Sequence, residues 1–92
     1  MFEWDENKNN SNLFHHKLSF EDAHFVFEGE TITFEDQRKD YETEKRYITL
    51  GLLENRLVVI VHTPRGDNQR IISMRKGNSR EKRLFEERSS KN

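Results

Sequence analysis

The sequence predicts a small α+β protein in which helices pack on one side of an antiparallel sheet. Short runs rich in β-branched and aromatic residues indicate strands. Polar segments opened by capping residues indicate helices, and turn residues between two neighbouring runs indicate a hairpin. The predicted order is β-α-α-β-β-β-α, with the last three strands forming an antiparallel meander.

Length and composition favour one folded domain over residues 1–92. Hydrophobic residues make up 32% and charged residues 36% of the chain, a balance that approaches that of disordered proteins. Seven Phe and one Trp nevertheless give a compact core enough to bury. The chain has no cysteine, no apolar run near the ~20 residues that cross a bilayer, and a polar, acidic start without a signal peptide. We therefore expect a cytoplasmic protein, frayed at residues 89–92.

The net charge of −1 hides a division between the two parts of the chain. Residues 1–54 hold 6 Lys and Arg against 13 Asp and Glu, and residues 55–92 hold 10 against 4. This asymmetry predicts one side that binds a polyanion and one acidic side. The alternative is that two solvated faces merely differ in composition.

The first part of the chain predicts a short edge strand and two helices. The strand is Phe2–Trp4, and Asp5 is suited to cap a helix over Glu6–His15. This helix contains four Asn and only Leu13 and Phe14 as apolar residues, so we expect tertiary contacts to hold it. Ser19 and Asp22 have the spacing of a capping box for a second helix to Glu28, with Phe20, Ala23 and Phe27 on one face and Gly29 as its left-handed C′ residue.

The second part predicts strands joined by turns and a final helix. Strands are expected at Thr31–Phe34 and Tyr47–Leu50, with an exposed connection over Glu35–Glu44 and a turn over Leu52–Asn55. Leu57–Val61, buried on both faces, and Gln69–Met74 should form a hairpin whose loop, Pro64–Asn68, has about 4–6 residues. Asn78 and Glu81 form a box-like start for a helix over Ser79–Arg88.

This hairpin and the helix after it carry a row of cationic side chains: His62, Arg65, Arg70, Arg75, Lys76, Arg80, Lys82 and Arg83. Arginine forks match phosphate oxygens and can stabilise the charge of a phosphorane-like transition state. In a regular strand Arg70 and Arg75 would point to opposite faces, unless a bulge or the strand end re-aims one. One of them could instead form a structural pair with Glu3, Asp5 or another acid of the first part.

Histidines, glycines and carboxylates limit the chemistry. His15, His16 and His24 lack the spacing of a helical metal site, and we expect them to be surface residues. His62 has either a structural role or a functional one, in proton transfer or in contact with a phosphate. Lys8 is a solvated helix residue unless its end of the helix faces the hairpin, in which case it is a candidate functional residue. No glycine loop for a nucleotide and no paired carboxylates are present. If the protein is an enzyme, we expect its chemistry to be metal-free and based on Arg, Lys and His, which suits cleavage of RNA, whose 2′-OH can serve as nucleophile.

Several segments resemble the BrnT toxins of type II toxin–antitoxin systems. These are FEWDENK at Phe2–Lys8, Asn12-Leu13 followed by His16, LSFEDAHFVF at Leu18–Phe27, and HTPRGDNQRIISMRK at His62–Lys76 with Arg80-Glu81. The resemblance implies a small RelE-like fold and a ribonuclease that halts translation. It also implies a BrnA-type antitoxin in a 2:2 assembly that contacts operator DNA only through the antitoxin, with no membrane and no cofactor.

The resemblance places the family's basic positions at Lys8, His62, Arg65, Arg70, Arg75, Lys76 and Arg80. We expect catalytic roles for Lys8, His62, Arg70, Arg75 and Arg80, and RNA contacts from Arg65, Lys76 and Arg83. Three positions depart from the family pattern. Lys17 stands where a glycine is usual, Gly77-Asn78 replaces Ala-Thr, and Phe85 replaces a tyrosine, which removes a hydroxyl that could have acted in proton transfer.

Another class of function fits the same residues. A non-catalytic nucleic-acid or protein-binding module could use the basic part as a phosphate-positioning surface. Aromatic residues do not alternate with the basic ones in the hairpin, so a base-stacking platform is not evident. The acidic first part could serve a protein partner.

Overall fold

Five strands form one mixed sheet in the computed structural model, which describes residues 1–37 and 44–89. The strands are β1 (Phe2–Glu3), β2 (Thr31–Glu35), β3 (Tyr47–Leu53), β4 (Arg56–Arg65) and β5 (Asn68–Lys76). Their order across the sheet is β1-β5-β4-β3-β2; β1 pairs with β5 in parallel and all other pairs are antiparallel. The α+β class is confirmed. The meander contains four strands, one more than the predicted order.

Helices cover both faces of this sheet, so the prediction that they lie on one side is wrong. The helices are α1 (Glu6–His16), α2 (Ala23–Glu28), which follows a 3₁₀ turn at Phe20–Asp22, and α3 (Ser79–Ser89). The α1/α2 face of the sheet buries Val58, Ile60, Ile71 and Met74. The opposite face, the α3 face, buries Ile48, Leu50, Leu57 and Val59 with Phe85 of α3. Because β4 is apolar on both sides, each side requires a cover.

Helix α1 is held by asparagines and has its apolar side chains outside. Asn9 Oδ1 accepts a hydrogen bond from the backbone N–H of Phe20 at 2.8 Å. Asn12 Oδ1 accepts from the backbone N–H of Met74 at 3.1 Å. Both asparagines are buried, whereas Leu13 and Phe14 are 47% and 74% exposed. The expected dependence on tertiary contacts is confirmed, but polar side chains make these contacts.

The helix ends follow the predictions in part. Asp5 caps α1 by accepting from the backbone N–H of Asn7 at 2.8 Å. Ser19 Oγ accepts from Glu21 N at 3.2 Å and not from Asp22, because the first turn is 3₁₀, so the predicted capping box is wrong. Gly29 ends α2 with a φ of −97°, an extended conformation that any residue adopts, and the predicted left-handed role is also wrong.

Two-residue turns join the strands of the central hairpins. Glu54 and Asn55 have φ angles of 51° and 66°, as in a type I′ turn, and Leu52 and Leu53 belong to β3. Gly66, with a φ of 60°, is the first residue of the turn between β4 and β5. The predicted longer loop is wrong because the strands extend to Arg65 and Asn68, which pair with each other.

Helix α3 begins with the predicted box. Asn78 N donates to Glu81 Oε1 at 2.9 Å, and Glu81 N donates to Asn78 Oδ1 at 2.8 Å. Ser89 remains helical with its hydroxyl donating to Phe85 O, so fraying at this residue is wrong, and residues 90–92 lie outside the described residues. Of the expected connection, residues 38–43 also lie outside them, Glu35 belongs to β2 and Asp36 is buried. None of the helices in the described ranges has the length and apolarity that crossing a membrane requires.

Candidate nucleic-acid interface and active site

A bulge in β5 brings Arg70 and Arg75 to the same face of the sheet. The pairing register shifts between Val61, which faces Ser73, and His62, which faces Ile71. Ile72 is therefore an extra residue, and the alternation of β5 reverses at this point. Arg70 lies opposite Thr63 and Arg75 opposite Val59.

Residues that pair directly across strands point to the same side, which places both arginines on the α3 face, with Ser73 between them. Their partners on β4 are four residues apart, so the two arginines are about 13 Å apart along the strand. In a regular strand Arg70 and Arg75 would point to opposite faces, but the bulge between them places both on the same face.

Arg75 lies at the junction of β5 and α3 in a bidentate ion pair. Its Nη1 and Nη2 donate to Glu81 Oε1 at 2.9 Å and Oε2 at 2.7 Å. Nη1 also donates to the carbonyl of Lys76 at 3.2 Å. The Arg75 side chain is 37% exposed, and Arg80, exposed in the first turn of α3, precedes Glu81. Arg75 is thus held in one orientation at the surface.

Arg70 pairs with an acid of the first part of the chain. Its Nη1 donates to Glu3 Oε2 at 3.2 Å, and Asn68 Nδ2 donates to Glu3 Oε1 at 3.0 Å. The hydrogen bond from Asn68, with the bond and charge of Arg70 and the charge of Arg65, lowers the pKa of Glu3 below its ordinary value. The structural pair with Glu3 that the sequence left open is therefore observed.

His62 lies on the other face, within the α1/α2 layer. Its ring packs edge-on against Phe27, with 5.2 Å between ring centroids. Nδ1 is 2.8 Å from Gln69 Oε1 and Nε2 is 2.7 Å from Thr49 Oγ1, which in turn bonds to Thr33 Oγ1 at 2.7 Å. With Gln69 Oε1 as acceptor, Nδ1 carries the proton and Nε2 accepts from Thr49.

His62 is only 5% exposed. Burial lowers the pKa of His62 and thereby favours the neutral ring, while the hydrogen bond to Gln69 opposes this effect. Both ring nitrogens are occupied. The geometry therefore favours the structural alternative for His62.

The remaining candidates are dispersed. Lys8 is exposed on α1, on the α1/α2 side of the molecule, and Arg65 lies beside the Gly66 turn. Lys76 ends β5, eight residues from its start, so it lies about 26 Å from that turn. Arg83 is exposed on α3. The structure thus brings together Arg70 with Arg65, near Glu3, and places Arg80 next to Glu81, the partner of Arg75. Lys76 lies opposite Val58 and therefore points to the α1/α2 face, the side on which His62 and Lys8 also lie.

Two features of this surface could not be predicted from the sequence. Ser73 lies between the two arginines only because of the bulge, which no residue pattern marks. Glu81, predicted as part of the capping box of α3, also binds Arg75. The spacing of six residues between Arg75 and Glu81 does not indicate such a contact. Phe85 is 6% exposed in the core of the α3 face. In residues 1–37 and 44–89, no three His, Asp or Glu side chains converge to hold a metal ion.

The α3 face has the properties of a surface that acts on a phosphate backbone. Two arginines are fixed on it by carboxylates, and further exposed cations lie beside each. Such an arrangement in a small α+β domain is typical of proteins that contact a phosphate backbone.

Comparison with known families gives the specific assignment. Residues 4–81 of the 92 match the family model described as "Ribonuclease toxin, BrnT, of type II toxin-antitoxin system", and the chain belongs to this family. No curated protein matches the chain. Family membership makes the chain a ribonuclease toxin with RNA as its substrate and an antitoxin as its partner.

Proposed function

We propose that the chain is an endoribonuclease that needs no metal and that cleaves RNA on the α3 face, between Arg70 and Arg75. The observation that carries this proposal is the bulge at Ile72, which supports placing both arginines along one RNA strand. Arg80 lies at the edge of this surface, next to the Arg75–Glu81 pair. Arg65, Lys76 and Arg83 contribute contacts to neighbouring phosphates.

The reaction is a transesterification within the RNA. The 2′-oxygen attacks the adjacent phosphorus, the bond from phosphorus to the 5′-oxygen breaks, and a 2′,3′-cyclic phosphate and a 5′-hydroxyl result. The proton of the 2′-OH leaves and one proton is delivered to the 5′-oxygen. Arg75 stabilises the charge of the phosphorane, because its pair with Glu81 orients the guanidinium before RNA binds. The sequence predicted Lys8 and His62 for these proton transfers, but both lie on the other side of the sheet and the ring nitrogens of His62 are bonded to Thr49 and Gln69, so the proposal assigns neither residue to them.

The biological consequence follows from the family. Cleavage of messenger RNA would inhibit translation, in the manner of an mRNA interferase. A BrnA-type antitoxin would neutralise the toxin in a 2:2 complex and would carry the contacts to operator DNA. The acidic first part of the chain, with 13 Asp and Glu in residues 1–54, supports a basic or amphipathic antitoxin segment as the partner.

A binding module without catalysis is the second candidate. Both Arg70 and Arg75 are already paired with carboxylates, which favours a structural role for them. Such a module would hold RNA with a salt-dependent affinity but leave it intact.

Incubation of the purified chain with an RNA oligonucleotide, in the presence of a chelator, separates the two candidates. The proposal predicts fragments that end in a 2′,3′-cyclic phosphate, and it predicts no cleavage of the matched oligonucleotide with 2′-deoxyribose. Intact RNA together with measurable binding would support the binding module. Cleavage that stops on chelation, or that continues in the 2′-deoxy substrate, would contradict the mechanism.

A further inference from the structure

Two grooves meet at the end of the sheet that is remote from the Gly66 turn. The larger, about 660 Å³, lies between α3 and the turn from β3 to β4, with Leu57 and Phe85 in its lining. The smaller, about 370 Å³, lies beside the end of α1 and has Leu18 and Val58 in its lining. Since Leu57 and Val58 point to opposite faces of β4, the grooves lie on the two faces of the sheet.

Four cationic side chains from four different elements border these grooves. Lys17 ends α1, Arg56 begins β4, Lys76 ends β5 and Lys82 belongs to α3. Arg56 and Lys76 belong to the lining of both grooves. Within the described ranges none of the four forms an ion pair, in contrast to Arg70 and Arg75.

The charge of the grooves is positive. Their linings contain the four cations and two acids, Glu54 and Glu86. Like charges that surround a concave surface repel one another, and a polyanion that binds there relieves the repulsion. Three of the four cations, Arg56, Lys76 and Lys82, belong to residues 55–92, for which the charge asymmetry predicts a polyanion-binding side.

Lys17 gives a second and independent indication. Its φ of 60° is in the left-handed region, where a glycine has no steric penalty and a side chain with a Cβ does. This strained residue lines the smaller groove, and its ammonium group lies over the Phe14 ring, 5.9 Å from the ring centroid.

We propose that these grooves bind the backbone of the substrate RNA beyond the reaction centre, through Lys17, Arg56, Lys76 and Lys82. The inference rests on the proposed ribonuclease function and extends its substrate-binding surface. Lys76 follows Arg75 directly in β5, so a strand leaving the reaction centre passes over the end of the sheet and reaches both grooves.

The contacts define the kind of RNA. A path that turns around the end of a sheet suits a single strand, because a duplex does not bend sharply over that length. The one aromatic residue in the two linings, Phe85, is 6% exposed and offers no ring for base stacking. The grooves therefore hold phosphates without regard to sequence.

Binding of a 2′-O-methyl RNA 12-mer, which cannot be cleaved, measures these contacts at several salt concentrations. The test variant combines Lys17→Asn, which tolerates the left-handed backbone, with Arg56→Gln and Lys82→Gln. Lys76 is left intact because it adjoins Arg75. The slope of log Kd against log salt should fall by about 0.7 for each lost phosphate contact, thus by about 2 in the triple variant.

Lys45→Gln, which removes an exposed cation outside both grooves, is the control and should leave the slope unchanged. The triple variant should still cleave a dinucleotide at the wild-type rate, because that substrate does not reach the grooves. An unchanged slope in the triple variant would overturn the inference even if the wild type cleaves RNA. A reduced slope with a wild type that cleaves nothing would instead keep the grooves as a polyanion site and reject the ribonuclease proposal.

Discussion

The carboxylate of Glu81 fixes the guanidinium of Arg75 through two parallel hydrogen bonds of 2.9 and 2.7 Å. Glu81 also closes the capping box of α3, since its backbone N–H donates to Asn78 Oδ1 at 2.8 Å. One residue therefore ties the end of β5 to the start of α3. The ordering of the arginine fork takes place on folding, and RNA binding does not have to supply it.

Glu81→Gln tests this relationship. Gln can still close a capping box, but it loses the charge and the second acceptor oxygen that orient Arg75. We expect the cleavage rate to fall about tenfold, which corresponds to about 1.4 kcal/mol. The free energy of unfolding should fall by less than about 1 kcal/mol, because the pair is partly exposed. Initial rates and urea unfolding measure both quantities, and a variant as active as the wild type would show that Arg75 needs no such support.

Stability should depend on pH through His62. Its pKa in the folded chain is below the ordinary value of 6.5, so the unfolded chain binds the proton more tightly. Stability should therefore rise with pH up to about 6.5 and be lost as the pH falls below that value. Glu3 titrates in a separate, more acidic window, because its lowered pKa lies below 4.5.

Urea unfolding at several pH values between 5 and 7 measures this dependence, with His62→Gln as the comparison. The substitution should lower stability overall but flatten its dependence on pH in this window. An equally steep dependence in His62→Gln would assign the effect to another group.

The buried asparagines of α1 should contribute more to the free energy of unfolding than Leu13 does. Asn12→Ala leaves the buried N–H of Met74 without its acceptor and should lower the free energy of unfolding by about 1–3 kcal/mol. Leu13→Ala changes a side chain that is 47% exposed and should stay within about 0.5 kcal/mol of the wild type. Chemical denaturation measures the stability of the two variants. A larger loss of stability for Leu13→Ala would contradict a helix α1 held by its asparagines.

Lys17→Gly should stabilise the protein. The left-handed backbone at φ 60° costs a residue with a Cβ about 1–2 kcal/mol, and the added freedom of glycine in the unfolded chain offsets about 0.5–1 kcal/mol of this. The net gain expected is about 0.5–1 kcal/mol, seen as a higher denaturation midpoint. The denaturation midpoint of Lys17→Asn should lie between those of the wild type and Lys17→Gly. Loss of stability in Lys17→Gly would show that the lysine side chain itself stabilises the end of α1.

Local signals were sufficient to predict the strands and the last helix. The runs around Val59, Ile71 and Leu50 lie in strands as predicted, and Asn78 and Glu81 mark the start of α3 because a capping box is a contact within one turn. The two-residue hairpin turns were not predicted. Pro64 can occupy the end of a strand, so β4 continues through it to Arg65 and only two residues remain for the turn.

The candidate site could be predicted less well than the fold. The cationic residues are visible in the sequence, but their common face depends on the bulge at Ile72, which the packing of both Ile71 and Met74 into one core layer selects. The pairing of Arg70 with Glu3 depends on the parallel addition of β1 to β5, a contact between distant parts of the chain. His62 is close to the arginines in sequence, but it lies on the α1/α2 face of the sheet and they lie on the α3 face.

The rate of RNA cleavage by Arg75→Ala, compared with that by His62→Gln, tests the central claim most directly. Circular dichroism first establishes that both variants are folded. A reaction centre on the α3 face predicts that Arg75→Ala loses about a hundredfold or more of the rate, whereas His62→Gln stays within about threefold of the wild type. Loss of cleavage in His62→Gln with full activity in Arg75→Ala would place the chemistry on the α1/α2 face and contradict the account.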